Sequence, residues 1–161
     1  MAGKTGLPTL RIALFLTACA LCASAAASAA TVQQATNQTS LLQAVNAARI
    51  EHGLLPLRLD SGLDQAAEAH TLDMLANHYF GHGDFGSRMV ALGLNGNLGE
   101  NLAWGTGRYA RARSIVHMWL TSAEHRANVL RPEFRRIGFG VATGPFQGRH
   151  DAIVVTADFG D

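Results

Sequence analysis

The spacing of apolar positions changes part-way along this chain, from a helical period to a strand period. Leu41, Leu42, Val45 and Ala48 recur three or four residues apart, the stripe of a helix over about 41–51. Ser40 stands where an N-cap is expected, Gly53 where the helix should end, and Pro56 confirms the stop. The segment 54–59 then reads as extended and apolar. Asp60 or Ser61 caps a second helix to about Asn77, with Leu63, Ala66, Ala67, His70, Met74 and Leu75 on its apolar face. His70 on that face reads as a hydrogen-bonded core histidine in preference to a ligand. Gly81, Gly83 and Gly86 open a loop, a short helix covers 87–92, and Asn95-Gly96-Asn97 is a turn signal. Gly99, Gly105 and Gly107 place Glu100 near irregular backbone. A long helix over 109–120 turns Ala112, Ile115, Val116 and Trp119 inward. Ser122 then caps a further helix over 123–130, which Pro132 prevents from extending.

From Ile137 the period is two. Ile137, Phe139 and Val141 alternate with Gly138, Gly140 and Ala142, and Ile153, Val155, Ala157 and Phe159 alternate with Val154, Thr156 and Asp158. Both runs are strands, joined by a long hairpin loop over 144–150. Helices first and strands last predict an α+β domain with an antiparallel sheet.

The N-terminus adds a compartment. Lys4 and Arg11 precede an apolar run from Ile12 to Leu21, too short to span a bilayer, and small residues follow. This predicts a signal peptide over 1–30, cleaved near Ala30, and a secreted or periplasmic protein with no transmembrane segment in the processed chain. Leu16-Thr17-Ala18-Cys19 offers the rival of a lipid anchor at Cys19. A polar, flexible lead-in covers 31–40, and one domain covers 41–161. Both cysteines, Cys19 and Cys22, lie in the signal, so the domain has no disulfide and depends on packing. About 130 residues suffice to bury roughly two thirds of the unfolded surface.

Removing Lys4 and Arg11 takes the formal charge from +1 to −1. A nucleic-acid binder would carry a clear basic excess, so that class is excluded. The candidate chemistry lies in His82, Glu100 and His125, which recur about twenty residues apart. Two imidazoles and a carboxylate suit a divalent metal such as zinc with a water in the fourth position. Without metal, the same groups make an acid/base pair with an orienting carboxylate. A third reading is structural, with His125 bonded to Glu100 to fix a cleft wall. Ser122, three residues before His125, reads as a capping hydroxyl in preference to a nucleophile, and no Gly-x-Ser-x-Gly elbow occurs. Tyr79, Phe80 and Trp104 flank these groups and could line a ligand cleft.

Four blocks, in order, resemble the CAP superfamily (SCP or PR-1-like domain) in its small bacterial secreted form. They are Val45-Asn46-Ala47-Ala48-Arg49; Ala69-His70-Thr71-Leu72-Asp73-Met74 leading to Phe80-Gly81-His82; Gly99-Glu100-Asn101-Leu102; and 119–130 leading to Ile137-Gly138-Phe139-Gly140. The resemblance spans 41–159. It implies an α-β-α sandwich with a small antiparallel sheet between helical layers. It also implies a cleft faced by two histidines and two glutamates, a metal site in several members. His82, Glu100 and His125 take three of those positions, and Ser122 stands at the fourth. The expected function is an extracellular module binding a lipid, cell-wall or host-facing ligand, with or without a divalent metal such as zinc. The alternative is a metal-assisted, peptidase-like hydrolase using the same cleft, and whether the chain is an enzyme stays open.

Overall fold

The computed structural model describes residues 37–161. The expected export signal, Cys19 and the start of the lead-in lie outside them. Helix α1 occupies residues 37–51 of the described chain. Ser40 therefore sits inside the helix instead of capping it. Gln38 accounts for the longer reach, because its Nε2 donates to the Phe139 carbonyl at 2.7 Å. A two-residue strand, β1 (Arg58–Leu59), leads into α2 (Ser61–Ala76). Asp60 caps α2, accepting from the backbone N–H of Gly62 and Leu63 at 3.0 Å. Then come α3 (Phe85–Ala91), β2 (Leu98–Gly105), a 3₁₀ turn (Gly107–Ala110), α4 (Ala112–Thr121) and α5 (Ala123–Val129). The long strands β3 (Arg136–Phe146) and β4 (Arg149–Gly160) end the chain.

Two expectations change here. Glu100 stands in a regular strand, not on irregular backbone. The expected long loop over 144–150 is a two-residue turn at Gln147-Gly148, with φ of 48° and 74°. Two successive left-handed residues give the tight turn whose twist matches flanking strands. Pro145, which cannot donate to a ladder, falls at the register shift between Gly144 and Phe146.

The sheet order is β1-β3-β4-β2. The two long pairings are antiparallel, and only β1 runs parallel to its neighbour β3. β2 is an edge strand. Both sheet faces are covered, which makes an α-β-α sandwich. On one face Ile137, Phe139, Val155, Ala157 and Phe159 pack with Leu41, Val45, Trp119 and Phe134 into the main core. On the other, α2 lies against the backbone of β3. A Cβ on Gly138 would stand 2.1 Å from the Asp64 nitrogen, and one on Gly140 2.1 Å from the Ala67 carbonyl oxygen. The Gly-x-Gly alternation is therefore a groove for a helix, closed at its centre by a 2.7 Å hydrogen bond from the Thr71 hydroxyl to Thr156 Oγ1. Glu100, Leu102 and Trp104 of β2 and Asp158, Thr156 and Val154 of β4 share this second face by register.

α1 is tied to the rest by Arg49, which is fully buried. Its guanidinium donates to the carbonyls of Leu55 (2.9 Å), Val129 (2.8 Å), Arg131 (3.0 Å) and Phe134 (3.2 Å). The last three are backbone acceptors at the end of α5 and along the chain toward β3. Burial lowers the Arg49 pKa, helped by the charge of Arg135.

Candidate functional site

Glu100 is the centre. Its side chain is 2% exposed at the edge of the sheet. His82, in the loop after α2, donates from Nδ1 to Glu100 Oε1 at 2.7 Å. Arg88, on α3, donates from Nη2 to Glu100 Oε2 at 2.5 Å and from Nη1 to the His82 carbonyl at 2.6 Å. One arginine thus holds both the carboxylate and the backbone of its histidine partner. A carboxylate only accepts, so the His82 proton facing it sits on Nδ1. Nε2 is then the free ring nitrogen of a side chain that is 53% exposed.

Two further groups lie beneath. His70 of α2 directs Nε2 at the Gly81 carbonyl (3.0 Å) and stands 3.9 Å from Glu100 Oε2. Burial holds its pKa below the ordinary imidazole range, against the pull of Glu100. Asp158 pairs directly across the strands with Glu100 and is 0% exposed. Neither of its carboxyl oxygens has a partner at hydrogen-bonding geometry among the described residues. Burial first, then the negative field of Glu100, push its pKa up to about 9, with Arg88 pulling the other way. Asp158 is therefore a neutral acid at pH 7, and its proton provides a donor toward Glu100.

The side of the site away from α2 is built by α5. Gly99 has no Cβ because Asn128 Oδ1 would stand 2.7 Å from it. Asn128 Nδ2 donates to the Glu100 carbonyl (3.1 Å) and to Asn101 Oδ1 (3.0 Å), and Asn101 Nδ2 donates to the His125 carbonyl (2.9 Å). These bonds fix α5 on the free edge of β2 and bring His125 within electrostatic reach of His82. Burial, then the charge of His82, hold the His125 pKa below its usual value. The glutamate–histidine pair is thus Glu100–His82, and the alternative of Glu100 bonded to His125 is not what the fold makes.

Ser122 occupies the N-cap position of α5 without a side-chain capping bond; its carbonyl serves instead, accepting from the Arg126 N–H at 2.8 Å. Trp104 is half-buried further along β2, edge-on to Phe146 at 5.9 Å, and Phe80 packs on the same ring at 6.2 Å. Phe80 is itself 42% exposed. Tyr79 turns away from this cluster and donates its hydroxyl to Asp73.

Sequence reasoning missed Arg88, Asp158 and the nearness of His70. Arg88 stands on a short polar helix with no local pattern to mark it. Asp158 carried the better signal, as the one acid in the apolar run 152–159.

A family model for CAP, the cysteine-rich secretory protein family, matches residues 42–159. This chain belongs to the CAP family. It is 34% identical over 109 residues to the uncharacterized protein YkwD of Bacillus subtilis, covering 64% of this chain and 41% of YkwD. It is 29% identical over 92 residues to the tobacco pathogenesis-related protein 1C, covering 57% of this chain and 48% of that protein. Among solved structures, an extracellular SCP-domain protein of Bacillus anthracis superposes with a TM-score of 0.64 at 26% identity, covering 78% of this chain and 40% of that one. An outer surface protein of Borrelia burgdorferi gives 0.59 at 21% identity, covering 73% and 88%. The chain spans less than half the length of YkwD. No helix among the described residues is long and apolar enough to cross a membrane.

Within this CAP domain the three-donor metal set does not assemble. Among the described residues no group of three His, Cys, Asp or Glu is placed to hold an ion. The reason lies in Glu100. One of its oxygens takes the His82 proton and the other faces Arg88, whose charge already balances it. A carboxylate so engaged does not fit the role of a third ligand.

Proposed function

We propose that this CAP domain is an extracytoplasmic binding module whose ligand is amphipathic. The observation that carries the reading is one exposed imidazole locked by a buried carboxylate beside a partly exposed aromatic cluster. His82 Nε2 presents an acceptor to a hydroxyl or amide of the ligand. Phe80 and the half-buried Trp104 offer an apolar surface to the rest of it. Lipids and cell-wall fragments both have this mixed character. The Bacillus anthracis neighbour is described as extracellular and the Borrelia burgdorferi neighbour as an outer surface protein, which supports the compartment.

The test is tryptophan-quenching titration of the purified protein with cis-parinaric acid and, separately, with a muropeptide. Saturable binding of either, weakened about tenfold by Phe80→Ala and by His82→Ala and unchanged by a chelator, is expected. Absence of binding to both, or binding indifferent to both substitutions, refutes the reading.

A second reading rests on the same dyad. A carboxylate that fixes the tautomer of a half-exposed histidine is the arrangement of a general base. Peptide turnover lost in His82→Ala and retained in Ser122→Ala would favour hydrolysis by an activated water. Lack of any turnover leaves binding as the function.

A further inference from the structure

We propose that the Arg88 guanidinium is the resident cation of this cleft, and that it excludes divalent metal from a donor set that would otherwise take one. The argument starts from Glu100. A carboxylate 2% exposed requires a cation, because an isolated buried charge is costly. Arg88 supplies it at 2.5 Å. The guanidinium is anchored elsewhere as well, by the His82 carbonyl and by the Phe85 ring, 5.7 Å away.

Without Arg88, the remaining inventory changes character. Glu100 is met by His82 Nδ1 at 2.7 Å and by His70 Nε2 at 3.9 Å. Asp158 stands across the strand pair, fully buried, with both oxygens unpartnered among the described residues. Two carboxyls and two imidazoles around one point are the oxygen and nitrogen donors that zinc-like ions take. Asp158 keeps its proton, so the pair carries one negative charge, and Arg88 cancels that charge. An arriving dication meets a fixed positive charge at the carboxylate it would need, where the attraction should have been. The same guanidinium sits where an ion bridging Glu100 and Asp158 would sit, since both carboxyls feel it.

Arg88 is thus a specificity-determining residue of the cleft, independent of which organic ligand the cleft holds. It is charged at every physiological pH, whereas a bound ion would depend on supply and pH. The claim is also separable from ligand capture, because metal affinity is read with zinc alone.

The experiment is a calorimetric titration of the purified protein with zinc chloride, repeated with cobalt(II) and read by its visible d–d bands. Four proteins are compared: wild type, Arg88→Gln, Arg88→Lys, and Arg88→Gln combined with Glu100→Gln. Circular dichroism melts confirm that each is folded. Wild type and Arg88→Lys should show no Glu100-dependent zinc binding. Arg88→Gln should bind one equivalent at least about tenfold more tightly, and the added Glu100→Gln should abolish that gain. If Arg88→Gln does not fold, wild type against Glu100→Gln still decides. Stoichiometric zinc binding by wild type that Glu100→Gln removes overturns the proposal. So does a folded Arg88→Gln protein that takes no more zinc than wild type.

Discussion

Replacing Asp158 by Asn should flatten the pH dependence of stability, and the size of the change follows from the site. The buried Asp158 carboxyl titrates at about 9 in the folded protein. In the unfolded chain an aspartate titrates near ~3.9. Between these values the native state keeps a proton that the unfolded state has lost. The stability this proton confers is whole below about pH 4 and is lost as pH climbs toward 9. Each pH unit inside the window removes about 1.4 kcal/mol, so moving from pH 5 to pH 8 removes about 4 kcal/mol. The asparagine side chain cannot titrate and has nearly the shape of the protonated acid. His70 and His125, both held below the usual imidazole range, contribute with the opposite sign and are present in both proteins, so they cancel in the difference. Urea denaturation at pH 5, 6, 7 and 8 gives the free energies directly. The stability of Asp158→Asn minus that of wild type should rise by about 1.4 kcal/mol per unit. Parallel pH profiles for the two proteins would show that Asp158 is ionised in the folded state, and the neutral-acid account would fail.

Other substitutions test other joints of the structure. Glu100→Gln keeps the shape but removes the charge facing Arg88, and should cost about 3 kcal/mol, a melting temperature roughly 10 °C lower by calorimetry. Arg49→Lys replaces a fork that reaches four carbonyls with a single point charge, and should cost about 3 kcal/mol in urea denaturation while leaving the far-ultraviolet spectrum intact. Gly140→Ala places a Cβ 2.1 Å from the Ala67 carbonyl oxygen, so α2 must lift from β3. A loss of about 3 kcal/mol or more, or no soluble protein, is expected.

How much could be read beforehand differs between fold and site, and the reason is range. The helix over 61–76 was legible because its signals are local: an aspartate cap at Asp60 and apolar residues three and four apart. The paired strands were legible from alternation. The tight turn at Gln147-Gly148 was not, because glutamine at φ 48° breaks the usual preference and Pro145 argued for a loop. Glycine spacing around Glu100 suggested irregular backbone, whereas Gly99 is small to admit Asn128. Of the site, Glu100 and His82 were visible as unusual residues in unusual surroundings. Arg88 and Asp158 were not, since what defines them is register: Asp158 matters because β4 sets it opposite Glu100, and no local pattern encodes that pairing.

The cluster also departs from what stability alone would select. Buried ion pairs seldom outperform well-packed apolar residues of similar volume. Here a carboxylate, a guanidinium, a protonated acid and a buried imidazole are gathered beneath α2 and α3, and among the described residues Asp158 and the Arg88 Nε lack hydrogen-bond partners. Such an arrangement costs stability at neutral pH through Asp158 alone. What it achieves is positional. Glu100 is gripped from two sides, so it in turn holds His82 by Nδ1 and leaves one nitrogen pointing outward. Arg88 fixes the same histidine through its backbone carbonyl, so ring and main chain are restrained together. The glycine groove of β3 and the Gly99–Asn128 contact serve the same end from below and from the side, by letting α2 and α5 close on the strand that carries Glu100. A sealed polar network whose most exposed imidazole is His82 is built to present that imidazole, and its energetic cost is the physical reason to assign function to this edge of the sheet before any other surface.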